Sequence, residues 1–247
     1  MEYHIMQVTI ICVWHKEQQF IEFKNNLSSQ KDVEFNLIAI DNSTNKYSSI
    51  REIYNGLIDE ISTEYVMFCH PDIVFLEDNV LFSLIESLSQ LSNLGVVGIA
   101  GCREGQHWEI LSNIVHGDNM KLAGTPIKVP ERVQMVDECL YIMKSDFLKN
   151  HKYSDITGWH LYAVEQCLNA IAEGLNNYVV PVNIWHRSDG KSLDPSYLKS
   201  LELVIKNCCK DIDYLNTTVK QWKTRGIWPR IYRKYYYLKQ IVKKCIR

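Results

Sequence analysis

The residues with the clearest capacity for chemistry are His70 and Asp72, which close the apolar run Tyr65-Val66-Met67-Phe68-Cys69 with only Pro71 between them. In an extended chain, side chains two positions apart point to the same side, so an imidazole and a carboxylate converge on one point. That pair suits a divalent cation bridging to a diphosphate, because Mg²⁺ or Mn²⁺ accepts one or two protein ligands and completes its shell with phosphate oxygens. The competing reading is an aspartate that merely caps the turn after a strand. Two other polar clusters have the same placement: Trp14-His15 ends the apolar run Gln7 to Val13, and Asp41-Asn42-Ser43-Thr44-Asn45 ends the run Phe35 to Ile40.

The elements that must carry these clusters follow from the periodicity. Gln7 to Val13 is rich in β-branched residues and almost continuously apolar, as a strand buried on both faces should be. Lys16 to Ser28 shows a helical period through Phe20, Phe23 and Leu27. Ile50 to Ile61 and Asn79 to Leu91 read as helices, and Tyr65 to Cys69 and Val96 to Ala100 as strands. This alternation predicts a parallel, right-handed, doubly wound sheet that binds ligands at the carboxyl ends of its strands. From Gly101 to Pro130 loops and short strands are expected, then one strand over Val133 to Met143. A helix over Leu161 to Glu173, stopped by Gly174, and a strand over Tyr178 to Val182 follow. Ile184-Trp185-His186 leads into a loop, and beyond Tyr197 the chain reads as helical, with a break at Gly226 to Pro229.

The composition fits an ordinary globular α/β protein, with 46% hydrophobic and 23% charged residues in 247. A net charge of −2 gives no chain-wide reason to expect nucleic acid, yet no acidic residue follows Asp213. None of the eight cysteines forms a Cys-x-x-Cys pair, which favours buried thiols in a reducing compartment. The run Val8 to Val13, preceded by Glu2 and His4, is too short for a signal peptide, and no apolar stretch is long enough to cross a bilayer. A cytoplasmic location is therefore expected, peripheral to the inner face of the membrane if the tail binds it.

The order of these motifs resembles the GT-A glycosyltransferases of family 2, and especially a branch that writes the Asp-x-Asp motif as His-x-Asp. Asp41-Asn42-Ser43 is similar to the family's nucleotide-binding turn. Asn55 stands fifteen residues before His70, as in the family's Asn-x-Gly helix, although Leu57 fills the usual glycine site. Val136 to Met143 resembles the strand along the acceptor site, and Gly158 to Glu165 the segment that opens the catalytic helix. The resemblance covers residues 7 to 190. It implies a GT-A fold, a Rossmann-like doubly wound and mostly parallel sheet, with a helical carboxyl-terminal extension. The expected organisation is a catalytic domain over 1–196, comprising a nucleotide-binding half (1–100) and an acceptor half (101–196), then a basic extension over 197–247.

What the resemblance implies for single residues can be stated position by position. Asp41, Asn42, Ser43, Asn55, His70 and Asp72 would bind the nucleotide, and Asp72, His186 and His70 would hold Mn²⁺ or Mg²⁺. Arg187 and Lys191 would lie near the departing phosphate. The family's general base falls at Ala163, which accepts no proton, so Glu165 is the leading substitute, with Asp137 and His160 next and Glu138 and Asp155 also available. The pairs His107-Trp108 and Trp159-His160 offer rings on which the C–H faces of an acceptor sugar could stack; ordinary packing is the alternative. The expected activity is metal-assisted, inverting transfer of a sugar from a nucleotide sugar, UDP-linked by preference, to a glycan or lipid-linked acceptor in surface polysaccharide assembly. The competing class is an inert GT-A-like module that binds a nucleotide sugar or a partner enzyme. A nucleotidyltransferase is disfavoured, since no Gly-rich phosphate loop follows the first strand. The basic, aromatic-rich tail from Lys220 onward fits an anionic membrane surface or, alternatively, a helix packed on the core.

Overall fold

A computed structural model describes residues 7–188 and 194–246. The first half alternates as the periodicity demands. β1 (Gln7–Trp14), α1 (Glu17–Ser28), β2 (Glu34–Asp41), α2 (Ile50–Gly56), β3 (Tyr65–Cys69), β4 (Ile73–Phe75), α3 (Val80–Leu88) and β5 (Leu94–Gly98) follow in order. Every residue of β3 is buried, as its apolar run requires, while α1 turns Phe23 and Leu27 to the sheet. α2 is shorter than its apolar pattern: it ends at Gly56, whose backbone is the least helix-prone, and continues as a single 3₁₀ turn over Ile58–Glu60.

The second half is more broken. It comprises β6 (Ala100–Cys102), β7 (Ile110–Ser112), β8 (Ile114–His116), β9 (Lys121–Leu122), β10 (Glu131–Val133), β11 (Met135–Val136), β12 (Leu140–Lys144), α4 (Ser145–Asn150), α5 (Tyr162–Ala172), β13 (Asn176–Val179) and β14 (Ile184–His186). After it come α6 (Pro195–Cys208), a hairpin of β15 (Tyr214–Asn216) and β16 (Gln221–Lys223), and α7 (Ile227–Ile246).

Seven strands form the central sheet in the order β10-β13-β5-β12-β3-β1-β2. β1 pairs in parallel with both β2 and β3, and β13 in parallel with β5. β12 runs antiparallel between β3 and β5, and β10 antiparallel at the edge. Apolar side chains cover both faces. One core gathers α2, α5 and α6 with Leu215 and Trp222 of the hairpin, and the other gathers α1 and α3.

Two expectations are corrected here. The single strand foreseen over Val133–Met143 is three strands in two sheets, broken at Asp137 and Glu138. A carboxylate cannot lie unpaired inside a sheet core; Asp137 instead accepts the N–H of Cys139, an Asx-type turn that ends the pairing. The wholly helical tail is interrupted by the β15–β16 hairpin, whose turn is closed by Thr217 accepting the N–H of Lys220. Residues beyond 196 are also part of the body: Tyr197, Leu201, Leu215 and Trp222 share one core with α5.

A smaller sheet has the order β4-β14-β8-β9. β14 pairs antiparallel with β4, opposing His186 to Ile73, and parallel with β8, opposing His186 to His116. This register carries His186 to the end of β3. Where β5 passes into β6 the chain crosses β11 closely: a methyl group added at Gly101 would stand 2.4 Å from the Met135 carbonyl oxygen. Gly101→Ala is accordingly expected to lower unfolding free energy by about 1–3 kcal/mol, because backbone rather than a flexible side chain must give way. Urea titration followed by far-ultraviolet circular dichroism measures it.

Candidate active site

β3 ends at Cys69 and the next three residues turn outward. His70 donates its backbone N–H to the Cys139 carbonyl, and Arg187 donates its own to the Asp72 carbonyl, which ties the turn to β12 and β14. His70, Asp72 and His186 each offer one ligand atom, and those atoms lie within 4.8 Å of one another. Asp72 Oδ2 is 3.2 Å from His186 Nε2. Asp72 Oδ1 and His186 Nδ1 are buried and have no partner among the described residues. Buried polar atoms normally find one, so these orphans have the donor set and the open valences of a site for a hard or borderline divalent cation.

The electrostatics agree. Burial raises the Asp72 carboxyl, but the hydrogen bond and charge of His186 outweigh it and hold the pKa at about 2. Burial lowers His186 less than Asp72 raises it, so its pKa stands above the ordinary value. His70 is pushed down by burial and stays a neutral ring, its Nε2 2.6 Å from the Tyr162 hydroxyl. His116, packed edge-on against His186 with ring centroids 5.0 Å apart, is likewise lowered, by burial first and then by the charge of His186.

Two cavities meet at this cluster, and His70 and Asp72 line both. The first, about 380 Å³, lies over the ends of β1 and β3, walled by Trp14, His15, Asn42, Tyr54 and Trp159. Asn42 is buried and clamps its loop by accepting from the N–H of Tyr47 and donating to the Tyr47 carbonyl. Asp41 stands beside it, exposed, its carboxylate accepting the Ser43 N–H at 2.7 Å, a bond that lowers its pKa. The second cavity, about 400 Å³, is lined by His116, Asp137, Glu138, His160, Leu161 and His186, with Thr217–Val219 of the hairpin turn.

The amino terminus of α5 forms the floor between them. Leu161 is held at φ +62°, an uncommon backbone state for a non-glycine residue, and it turns the first N–H groups of the helix outward. Glu138 receives them: its Oε1 accepts from Tyr162 N at 2.8 Å, and the Leu161 N–H also faces it. Burial, and then the neighbouring Asp137 charge, raise the Glu138 carboxyl to about 8. Asp137 is driven the other way. Burial would raise it, but the Thr218 hydroxyl and the Cys139 N–H donate to its oxygens and keep it below the usual carboxylate range.

Other anticipated residues are placed elsewhere. Glu165 lines neither cavity; it lies buried beneath α5, where Oε2 takes Arg51 Nε at 2.6 Å and Oε1 takes the Ser154 N–H. Both oxygens are committed, and the helix turns this position inward, so Glu165 is corrected from base to buried ion-pair partner. Ala163 beside it is fully buried. Asn55 is corrected from nucleotide ligand to structural clamp, donating to the Tyr153 carbonyl and accepting its N–H. Trp159 lines the cavity over β1 and β3 rather than the second one, and His160 lines the latter with Nε2 3.1 Å from Ser196 Oγ. Trp108 lines neither; its indole N–H donates to the Thr217 carbonyl and braces the hairpin turn, while His107 is exposed beside it. Arg187 is ion-paired with Glu22, and Lys191 lies outside the described residues.

The family model described as "Glycosyltransferase like family" matches residues 8–207. The chain belongs to this family. The GT-A fold is shown by solved structures. The mannosyltransferase PcManGT from Pyrobaculum calidifontis, in complex with GDP-Man and Mn²⁺, superposes with a TM-score of 0.58 at 9% identity, covering 96% of this chain and 70% of that one. TarS 1-349 from S. aureus, in complex with UDP-GlcNAc, gives 0.54 at 12% identity, covering 82% and 67%. A curated relative from Fuscovulum blasticum, "ATP synthase subunits region ORF 6", is 26% identical over 142 residues, and the match spans 55% of that protein.

Three residues to which the sequence reading gave no role of their own also stand at these cavities: His116 and Thr218 line the second, and Tyr162 lines the first and meets His70. His116 sat in a segment with no periodic signal, Tyr162 was read only as part of the Gly158 to Glu165 segment, and Thr218 lies in a hairpin hidden within a helical-looking tail. The correction of Glu165 has a direct check. Glu165→Ala leaves Arg51 buried and unpaired, and loss of one partner of a buried pair costs about 3–5 kcal/mol. Chemical denaturation should show that loss, while Mn²⁺ affinity of the folded protein, measured by titration calorimetry below the transition, stays unchanged.

Proposed function

We propose that this chain transfers a sugar, with inversion, from a nucleoside diphosphate sugar, UDP-linked by preference, onto a glycan or lipid-linked acceptor in surface polysaccharide assembly. The observation that carries the reading is that one cation-capable cluster, His70, Asp72 and His186, stands at the junction of two cavities. One cavity lies at the carboxyl ends of β1 and β3, where open α/β sheets bind ligands, and the other lies against the amino terminus of α5. GDP-Man with Mn²⁺ and UDP-GlcNAc are the ligands of the two structural neighbours, which supports a nucleotide sugar as donor and Mn²⁺ or Mg²⁺ as the cation.

A bound divalent cation would supply the positive charge that makes a nucleoside diphosphate a competent leaving group. The chain's own residues do the rest. Asp72, His186 and neutral His70 would provide its ligands, and Tyr162 fixes the His70 ring from the other side. Asn42 shapes the wall of the base pocket, and Asp41 and Ser43 adjoin it in the chain. In the acceptor cavity a carboxylate must take the hydroxyl proton as the new C–O bond forms and the bond to phosphate breaks. Glu138 fits that role. Its carboxyl lines the cavity, one oxygen is fixed by the helix N–H groups, and its pKa lies near working pH. Asp137, with both oxygens engaged by Thr218 and Cys139, holds the hairpin turn as the cavity wall, and His160 is placed to orient an acceptor hydroxyl.

Two measurements test the reading. At about a hundredfold excess over Kd, UDP with Mn²⁺ should stabilise the protein by about 2.7 kcal/mol, roughly 5–10 °C in Tm for a chain of this size. Asp72→Ala should remove the Mn²⁺-dependent part; equal shifts in both proteins, or none in either, would remove the proposal. GDP and dTDP in the same assay rank the donors. Slow release of UDP from UDP-sugar with water as acceptor then reads the base. A base acts unprotonated, so the rate should rise with pH and level off above about 8. Glu138→Gln should lose that limb and about 10²–10⁴-fold in kcat, with the UDP-induced Tm shift retained. Nucleotide binding without turnover, even with acceptor glycans supplied, would instead favour the inert module.

A further inference from the structure

α7 has one docked face and one open face. On the docked face, Arg233 is buried, ion-paired to Glu202 of α6, and donates to the Lys223 carbonyl. Tyr236 sets its edge on Trp222, and Tyr237 packs on the same core. On the open face, Trp228, Ile231, Tyr235, Leu238 and Val242 recur at alternating spacings of three and four residues, 48–77% exposed. At 100° per residue these five fall within one arc of the helix. Arg230 and Lys234 border that arc on one side and Lys239 on the other, and all three are exposed.

An apolar stripe at this spacing also fits a coiled-coil seam, so charge must choose the occupant. In a self-paired helix, Lys234 and Lys239 would hold the positions that flank the seam and face their counterparts in the second copy. They are alike in sign, and no acidic residue follows Asp213 to oppose them. An anionic lipid surface supplies the missing countercharge. It also suits the ring chemistry, since Trp and Tyr concentrate at the headgroup boundary while aliphatic side chains reach below it.

We propose that α7 lies in the plane of an anionic lipid surface, burying the stripe from Trp228 to Val242 and setting Arg230, Lys234 and Lys239 among the headgroups. No described helix is long and apolar enough to cross a membrane, so this contact is interfacial. The connection to the acceptor cavity is one residue long. Thr217–Val219 line that cavity, and Lys220 donates its ammonium to the Tyr232 hydroxyl at 2.8 Å and stands over the Trp222, Tyr232 and Tyr236 rings. A lipid-held α7 therefore keeps the cavity close to an acceptor anchored in the same surface; this consequence rests on the proposed transfer, whereas the binding itself does not.

Flotation with vesicles of phosphatidylcholine alone and of an equal mixture with phosphatidylglycerol tests the binding on the full chain, at low and high salt. The wild type should float with the mixed vesicles and be released by salt. Leu238→Glu should lower partitioning at least about tenfold, and Lys234→Glu with Lys239→Glu about fivefold for each positive charge removed. All three substituted positions are exposed, so unchanged melting temperatures in solution confirm that folding is not the cause, and an unchanged UDP-with-Mn²⁺ shift separates this result from the fate of the transfer reading. Equal flotation with both vesicle types, or of Leu238→Glu with wild type, overturns the proposal. So does a wild-type dimer in sedimentation velocity that Leu238→Glu converts to monomer, since the stripe then belongs to a second copy.

Discussion

A carboxylate withdrawn from water costs several kcal/mol unless opposite charge meets it, and Asp72 is withdrawn with only one oxygen satisfied among the described residues. That constraint orders the structure around it. β3, the strand that presents it, is apolar on both faces and flanked in the sheet by β1 and β12, so its end cannot shift. The small sheet of β4, β14 and β8 brings His186 to Asp72, and the His116 ring packs behind it. His70 is locked by Tyr162 from α5. Four separate segments thus converge on one anion, and the valence they leave open is what a cation would complete.

The same neighbourhood contains four carboxylates in four environments, and environment alone divides their roles. Asp72 faces imidazoles and stays ionised. Asp137 is held ionised by a hydroxyl and a backbone N–H. Glu138 has helix N–H groups on one side but burial and the Asp137 charge against it, and its affinity for a proton rises. Glu165 is neutralised by Arg51 deep under the helix. Titratable groups whose surroundings push their pKa values apart are how one site accommodates both charge holding and proton transfer. On the cavity wall Glu138 comes from the end of the β11 segment, whereas the helix position Ala163 is fully buried in the core.

The hairpin turn of Thr217–Lys220 links three parts of the molecule that are distant in the chain. It lines the cavity at the amino terminus of α5, it is braced by Trp108 and Asp137, and through Lys220 it meets the rings of α7. The carboxyl-terminal segment is therefore a wall of the site as well as an outward-facing surface.

Local pattern was enough for the elements of the first hundred residues. The runs that became β1 and β3 are continuous and apolar, as strands inside the sheet require, and the run that became β2, an edge strand, alternates between half-buried and exposed positions; the residues that end all three, Trp14, Asp41, Asn42, His70 and Asp72, were legible as one end of a sheet. It was not enough wherever a side chain's role depends on what faces it across space. Glu165 and Asn55 carry functional-looking residue types at family-like positions, but contact with Arg51 and Tyr153, 114 and 98 residues away in the chain, turns them into structural partners. The break at Asp137-Glu138 interrupts an otherwise strand-like run because a carboxylate found a backbone N–H two residues on. What the sequence determined by itself was the alternation of elements and the strand end bearing His70 and Asp72, since both follow from hydrophobic period. Which carboxylates line the cavity at α5, and which histidine meets Asp72, only the tertiary structure decided, because charge and burial are properties of the assembled neighbours and leave no period in the chain.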